Sequence, residues 1–222
     1  MNVSEAVKTR RTIRGFKPEP VPEATIREII DIARHAPSNS NTQPWHIAVV
    51  SGDARRKLEA AIFAEMQAGM KPYPEWPAGG TGLKGVYKQR QIDCAFEYYD
   101  AVGIDRDDRK ARAKLVTKNW NFFGAPHAAF FSMPDTMHRA NAVDIGIILQ
   151  TIMLLMVERG IASCPQGALA AYPGPVKEIA GIPEGNGIIC GLSFGYADEE
   201  APANQARMPR EPFDVVARLT SD

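Results

Sequence analysis

With 222 residues, 45% of them hydrophobic and 23% charged, the chain is long enough to bury a full core as one globular unit, residues 1–222. Its 26 basic and 26 acidic side chains cancel, which excludes a disordered polyelectrolyte and argues against a dedicated nucleic-acid binder, because neutralising phosphates takes surplus Lys and Arg. Cys94, Cys164 and Cys190 form neither a disulfide framework nor a CxxC pair, so a reducing, cytoplasmic setting is expected.

Residues 2–9 read as a short helix without the apolar core of a signal peptide, so the Asn2-Val3-Ser4 sequon is expected to be idle. Pro22 suits the first turn of a second helix, whose Ile26, Ile29, Ile30 and Ala33 share one face before Pro37. Residues 38–44 form a polar loop, and 45–51 (WHIAVVS) read as a buried strand. Asp53 is the expected cap of a helix running to about residue 68.

Residues 71–85 then pack three prolines and four glycines into 15 positions, followed by helical patterns over 86–102 and 107–123. The stretch 65–117 reads as an excursion over the core, either a lid or extra dimer surface. Residues 128–132 form a second strand, and 136–159 a long helix ending at Gly160. Apolar nearly all round, that helix should be buried on every side, centrally or in a subunit interface. Its apolar run, 145–157, is 13 residues against the roughly 20 that span a bilayer, so no membrane segment is expected. A third strand covers 186–194, and 213–216 is expected to add a fourth. The class is α+β.

Gly80-Thr81-Gly82-Leu83-Lys84-Gly85 matches GxGxxG, but Pro-Tyr-Pro-Glu-Trp-Pro precedes it and cannot be the central strand that a dinucleotide turn requires. A flexible lid is the better reading. The four histidines are scattered singly and read as structural, with no metal-ligand spacing. Residues 8–17 (KTRRTIRGFK) differ: five cations and no acid, with Ile13 and Phe16 to anchor them, suit a phosphorylated ligand, since arginine matches phosphate in a fork.

Arg10-Arg11-Thr12-Ile13-Arg14-Gly15-Phe16 and Pro37-Ser38-Asn39-Ser40-Asn41-Thr42-Gln43-Pro44-Trp45 resemble the opening motifs of the FMN-dependent nitroreductase family. The stretch from Asn119 to Pro126 (NWNFFGAP), Asp144-Ile145-Gly146 with Gln150, Cys164-Pro165-Gln166-Gly167 and Arg207-Met208-Pro209 continue the resemblance in order. It covers nearly the whole chain outside 65–117. The resemblance implies a mainly antiparallel central sheet flanked by helices, in an intertwined homodimer with FMN at the interface. By position, Arg10, Thr12, Arg14 and Arg207 would hold the phosphate, ribityl chain and ring edge, with Arg11 adjacent. Pro37, Ser38, Asn39 and Asn41 would reach the partner's flavin. Asn119, or Asn121 after a two-residue shift, would meet the ring, and Pro165, Gln166 and Gly167 would lie against one face.

The implied activity is reduction of a nitroaromatic or quinone by NADH or NADPH in a ping-pong cycle, with the chemistry carried by FMN and no catalytic side chain required. Other flavin oxidoreductases of the same fold (a flavin or quinone reductase, a dehalogenase, a flavin-fragmenting enzyme) share these motifs. A non-enzymatic flavin-binding sensor would bind FMN without reduction by either nucleotide. Cys164 beside the ring turn is expected to be a small buried residue rather than a redox group.

Overall fold

The computed structural model describes residues 1–77 and 79–221; Ala78, within the proline- and glycine-rich stretch, and Asp222 lie outside the described residues. Strand β2, His127–Pro134, is buried from His127 to Met133 because both of its faces are covered. With side chains alternating across a strand, Ala129, Phe131 and Met133 enter one core cluster while Ala128 and Phe130 enter the other. β1 (His46–Ser51) and β4 (Asn186–Gly195) flank β2, and β3 (Ala162–Gln166) closes the order β1-β2-β4-β3, every pair antiparallel. Phe131 pairs with Cys190 and Ser132 with Ile188, which leaves Ile189 as the extra residue of a bulge.

The first cluster is closed by α2 (Glu23–Ala33), through Ile26, Ile29 and Ala33, and by α6 (Ala142–Glu158), through Ile145, Ile148, Ile152, Met153 and Met156. α3 (Gly52–Gln67) closes the second with Leu58 and Ile62, joined by Val176 of α7 (Pro173–Ala180). α1 (Val3–Thr9) starts at Asn2, whose side chain caps the helix by accepting from Glu5 N at 2.9 Å, so the sequon asparagine has a structural task. His127 is structural too. Its Nε2 accepts from Val21 N at 2.8 Å, so Nδ1 carries the proton facing Ser51 Oγ, and the ring stacks on Phe194.

Several expectations are corrected. Ser51, not Asp53, is the N-cap of α3; Asp53 sits in the first turn and pairs with Arg56. The helix expected over 107–123 is α5, Arg109–Thr117; turns follow it, and Phe122 and Phe123 take left-handed backbone angles that a helix through 123 could not contain. Residues 139–141 form a tight turn before α6 rather than its first turn, and 213–216 is a single helical turn, α8 (Phe213–Val216), rather than a strand. β3 and α7 were not anticipated.

Within one chain α6 is buried on one side only: Val143 is 63% exposed, and Leu149, Leu154 and Leu155 are half-buried. Residues Arg139–Glu158 are long and apolar enough by length and composition to cross a membrane, yet Ile145, Ile148, Ile152, Met153 and Met156 belong to the first core cluster. Residues 71–77 are not a free flap either. Tyr73 N donates to Ala171 O at 2.9 Å, Glu75 accepts from Ile188 N at 2.9 Å and pairs with Lys177, and Trp76 packs over Gly187. The next element, α4 (Gly85–Ala101), buries none of its residues and is tied to the C-terminal segment by the Arg90–Glu211 ion pair at 2.8 Å.

Candidate functional site

The basic segment is held against β3 by main-chain pairing: Thr12 bridges Ser163 in parallel, and Ile13 N donates to Ser163 O at 3.0 Å. Ile13 is buried, as its anchoring role requires. This pairing sets Arg10 to Arg14 along the same sheet edge that ends in Pro165, Gln166 and Gly167. The C-terminal segment comes back to the same place. Arg11 Nη1 and Arg207 Nη1 donate to one oxygen, the main-chain carbonyl of Asn204, at 3.1 and 2.9 Å. Arg10 caps the end of α1, where burial and then neighbouring Arg210 pull its guanidinium below the ordinary value.

Among the described residues, none of Arg10, Arg11, Arg14, Arg207 and Arg210 forms an ion pair with a carboxylate, although nine ion pairs occur elsewhere. A cation cluster left without acids on a protein of zero net charge is a place prepared for an external anion.

Next to it lies a cavity of about 240 Å³, lined by Arg14, Gln91, Cys94, Ala95, Tyr98, Tyr99, Leu115, Val116, Asn119 and Phe123. Half of these residues come from α4, which forms one wall. The Arg14 guanidinium sits 4.7 Å from the Tyr98 ring centre and 5.9 Å from that of Phe123, an arrangement that fixes the cation without neutralising it. The Tyr98 hydroxyl is buried without a hydrogen-bond partner, and burial, opposed by Arg14, raises its pKa. Phe123 reaches the cavity from a left-handed turn at φ 53°, a strained conformation of the kind that concentrates at binding sites.

Asn119 lines the cavity, and its Oδ1 accepts from Gln166 Nε2 at 3.2 Å. Asn121 does not line it; its main-chain oxygen accepts instead from Arg55 Nη2 at 2.8 Å. Gln166 is 5% exposed and spends its side-chain amide on Asn119 and Ser193. It therefore faces inward, and only its main chain borders the site. Gly167 is exposed, and a Cβ built there would meet no heavy atom within 4 Å. Cys164 is 1% exposed, and burial pushes its thiol up to about 12 despite the opposing influence of Arg14. It is a packing residue at any ordinary pH.

Pro37, Ser38, Asn39 and Asn41 are placed elsewhere. Their loop leads into β1, the edge opposite β3, so three strand spacings, roughly 14 Å, separate it from the arginine edge. Ser40, Asn41 and Gln43 all have φ between 45° and 55°. The loop is pinned by Ser38 Oγ accepting from Gln43 N at 2.9 Å and by the buried Asp144 accepting from Asn39 N at 3.1 Å. Holding three such conformations costs about 1–3 kcal/mol each, and these tethers over-determine a displayed, exposed surface.

The residues present fit the flavin mononucleotide that the sequence resemblance implies. The unneutralised arginines suit its phosphate, and the aromatic and apolar walls, with Arg14 and Asn119 among them, suit a flat ring with polar edges. The clear space over Gly167 is what close approach of a ring to the main chain requires. Sequence reasoning missed Asn204, which follows no motif.

Comparison with known proteins identifies the family. The model of the nitroreductase family matches residues 7–196. The chain is 40% identical over 214 residues to nitroreductase NfnB of Mycolicibacterium smegmatis, covering 96% of this chain and 91% of that protein. It is 39% identical over 206 residues to a 4-nitrobenzoate reductase of Pseudomonas putida, covering 92% and 89%. The crystal structure of the FMN- and NADPH-dependent nitroreductase NfnB from Sphigopyxis sp. strain HMH superposes with a TM-score of 0.95 at 35% identity, covering all of both chains.

Proposed function

The chain belongs to the nitroreductase family, and we propose that it is an FMN-dependent oxidoreductase that uses NADPH or NADH to reduce nitroaromatic compounds. The observation that carries this reading is the set of arginines without carboxylate partners beside an aromatic-walled cavity at the end of β3. When bound, FMN supplies two-electron chemistry at N5, accepting hydride from a reduced nicotinamide and delivering it to a nitro group or a quinone.

The chain's own residues bind, orient and bias. Arg10, Arg11 and Arg207 would hold the phosphate, with Thr12 on the ribityl chain. Arg14 would meet the pyrimidine edge, where a fixed cation stabilises negative charge as it develops. Pro165, Gln166 and Gly167 would lie against one face, with Asn119 at a polar edge. Pro37, Ser38, Asn39 and Asn41 would serve the flavin of a partner subunit. Their separation from the arginine edge and the uncovered apolar side of α6 both support a homodimer. We read α4 and α5, within the 65–117 excursion, as the cover of the cavity, a lid that admits aromatic substrates. The chain's three free cysteines suit a reducing compartment, and we read the enzyme as cytoplasmic.

The test is an anaerobic visible spectrum of the purified protein with FMN, taken before and after NADPH or NADH and then 4-nitrobenzoate. Bleaching followed by return of the oxidised flavin bands is expected. A protein that takes up no FMN, or whose flavin neither nucleotide reduces, refutes the proposal.

A further inference from the structure

Asn204 is 3% exposed and sits in the short Pro202–Asn204 turn, distant in sequence from Arg11, Arg14 and Gly15, which it contacts. Its side-chain Oδ1 accepts from Arg14 N at 2.7 Å, and its Nδ2 donates to Gly15 O and Asp198 O, both at 2.8 Å. Because Arg14 N can only donate and the two carbonyls can only accept, the amide has one possible orientation. The chain comes close enough here that a Cβ on Gly15 would collide with Ala201 and crowd Asn204, so the loop and the turn are in direct contact.

The main-chain oxygen of the same residue accepts from Arg11 and Arg207. Two guanidinium groups sharing one oxygen repel each other, and a neutral carbonyl offsets that only in part. The pair stays together because the carbonyl is fixed, and the carbonyl is fixed because the side chain ties its turn to the loop on both sides.

We propose that Asn204 is a positioning residue for the phosphate grip: it sets the spacing of Arg11 and Arg207, and through them the preference for a phosphorylated flavin over an unphosphorylated one. This rests on the reading that these arginines hold the FMN phosphate. Asn204 itself touches no ligand. Replacing its side chain removes partners from Arg14 N, Gly15 O and Asp198 O and releases the shared carbonyl; Asn119 and Phe123, which line the cavity from a different segment, share none of these bonds.

The experiment measures dissociation constants for FMN and riboflavin, by flavin fluorescence at one ionic strength, for wild type, Asn204→Ala and Asn204→Asp. Hydrogen bonds to charged groups are worth about 10- to 100-fold in affinity, so both variants should lose FMN affinity about tenfold or more. Riboflavin affinity should fall less, because the loosened Arg14 main chain affects the ring side for both flavins whereas only FMN offers Arg11 and Arg207 a phosphate. Asn204→Asp should lose the most for FMN, since it sets a carboxylate against the Gly15 and Asp198 carbonyls and brings negative charge beside the arginine pair. An unchanged ratio of FMN to riboflavin affinity overturns the proposal. So does an equal fall in both, which would make Asn204 a support of the fold alone. A wild type that binds riboflavin as tightly as FMN instead overturns the underlying reading that the arginines grip phosphate.

Discussion

Gln166 joins the sheet to the cavity, and replacing it with leucine separates the two roles. Its Nε2 donates to Asn119 O at 3.0 Å and Oδ1 at 3.2 Å, and its Oε1 accepts from Ser193 Oγ. Ser193 is fully buried in β4, so Gln166→Leu, close in volume, strands its hydroxyl without an acceptor. A buried polar group left unpaired costs about 1–3 kcal/mol, whereas the half-buried Asn119 can turn to water and costs little. The expected loss is therefore about 2 kcal/mol, and in a chain of this size each kcal/mol moves the melting temperature by roughly 2–4 °C. Gln166→Leu should melt about 4–8 °C below wild type, measured by calorimetry at one protein and FMN concentration because binding shifts the midpoint. Adding Ser193→Ala removes the stranded hydroxyl and should return about half of the loss. A single variant that melts within 2 °C of wild type, or a double variant less stable than the single, would refute this account of the β3–β4 contact.

Burial holds His127 below the ordinary histidine value of 6.5, so the unfolded chain takes up a proton that the native state refuses. Its contribution is full above about pH 6.5 and drains away as pH falls below that value, so urea unfolding should weaken more from pH 7.5 to 5.5 in wild type than in His127→Gln; equal losses would exclude it. With its thiol pushed up to about 12, Cys164 is about one part in 10⁴ thiolate at pH 8, so Cys164→Ser should retain nitroaromatic turnover, and a tenfold fall in kcat would restore it to the mechanism. Gly167→Leu puts a side chain into clear space next to the site, so the protein should keep its circular dichroism yet purify without flavin absorbance. A yellow Gly167→Leu protein would mean that the ring does not approach there.

The elements that could be read from sequence are those whose signal is local. Ile26, Ile29 and Ala33 announce α2 by their spacing, and the alternation of β2 between two cores makes it a run of apolar residues. β3 has no such signal: it is five residues long and contains Pro165, which can be tolerated because β3 is an edge strand with one neighbour. That edge position depends on the whole sheet order, which no window of sequence contains. α7 begins Pro173-Gly174-Pro175, a pattern that reads as a break although proline suits a first helical turn.

The same division runs through the site. Arg10, Arg11 and Arg14 stood out because five cations without an acid are conspicuous in a neutral chain, and Arg207 could be matched by motif. What joins Arg11 to Arg207 is the carbonyl of Asn204, 193 residues beyond Arg11, and a tertiary contact of that range leaves no periodicity or composition to detect. The loop of Asn39 and Asn41 shows the converse. Its polar residues are legible, yet three of its residues sit in left-handed conformations held by Asp144 and Ser38 at the sheet edge opposite the arginines. A chain that spends several kcal/mol to display a polar loop on one edge, and on the other leaves arginines without a carboxylate partner among the described residues, carries what the proposed homodimer would use as two halves of a site. In the proposed homodimer, two copies related by a twofold axis would bring each half against the other, so that the arginines, the loop and the uncovered side of α6 would find one explanation.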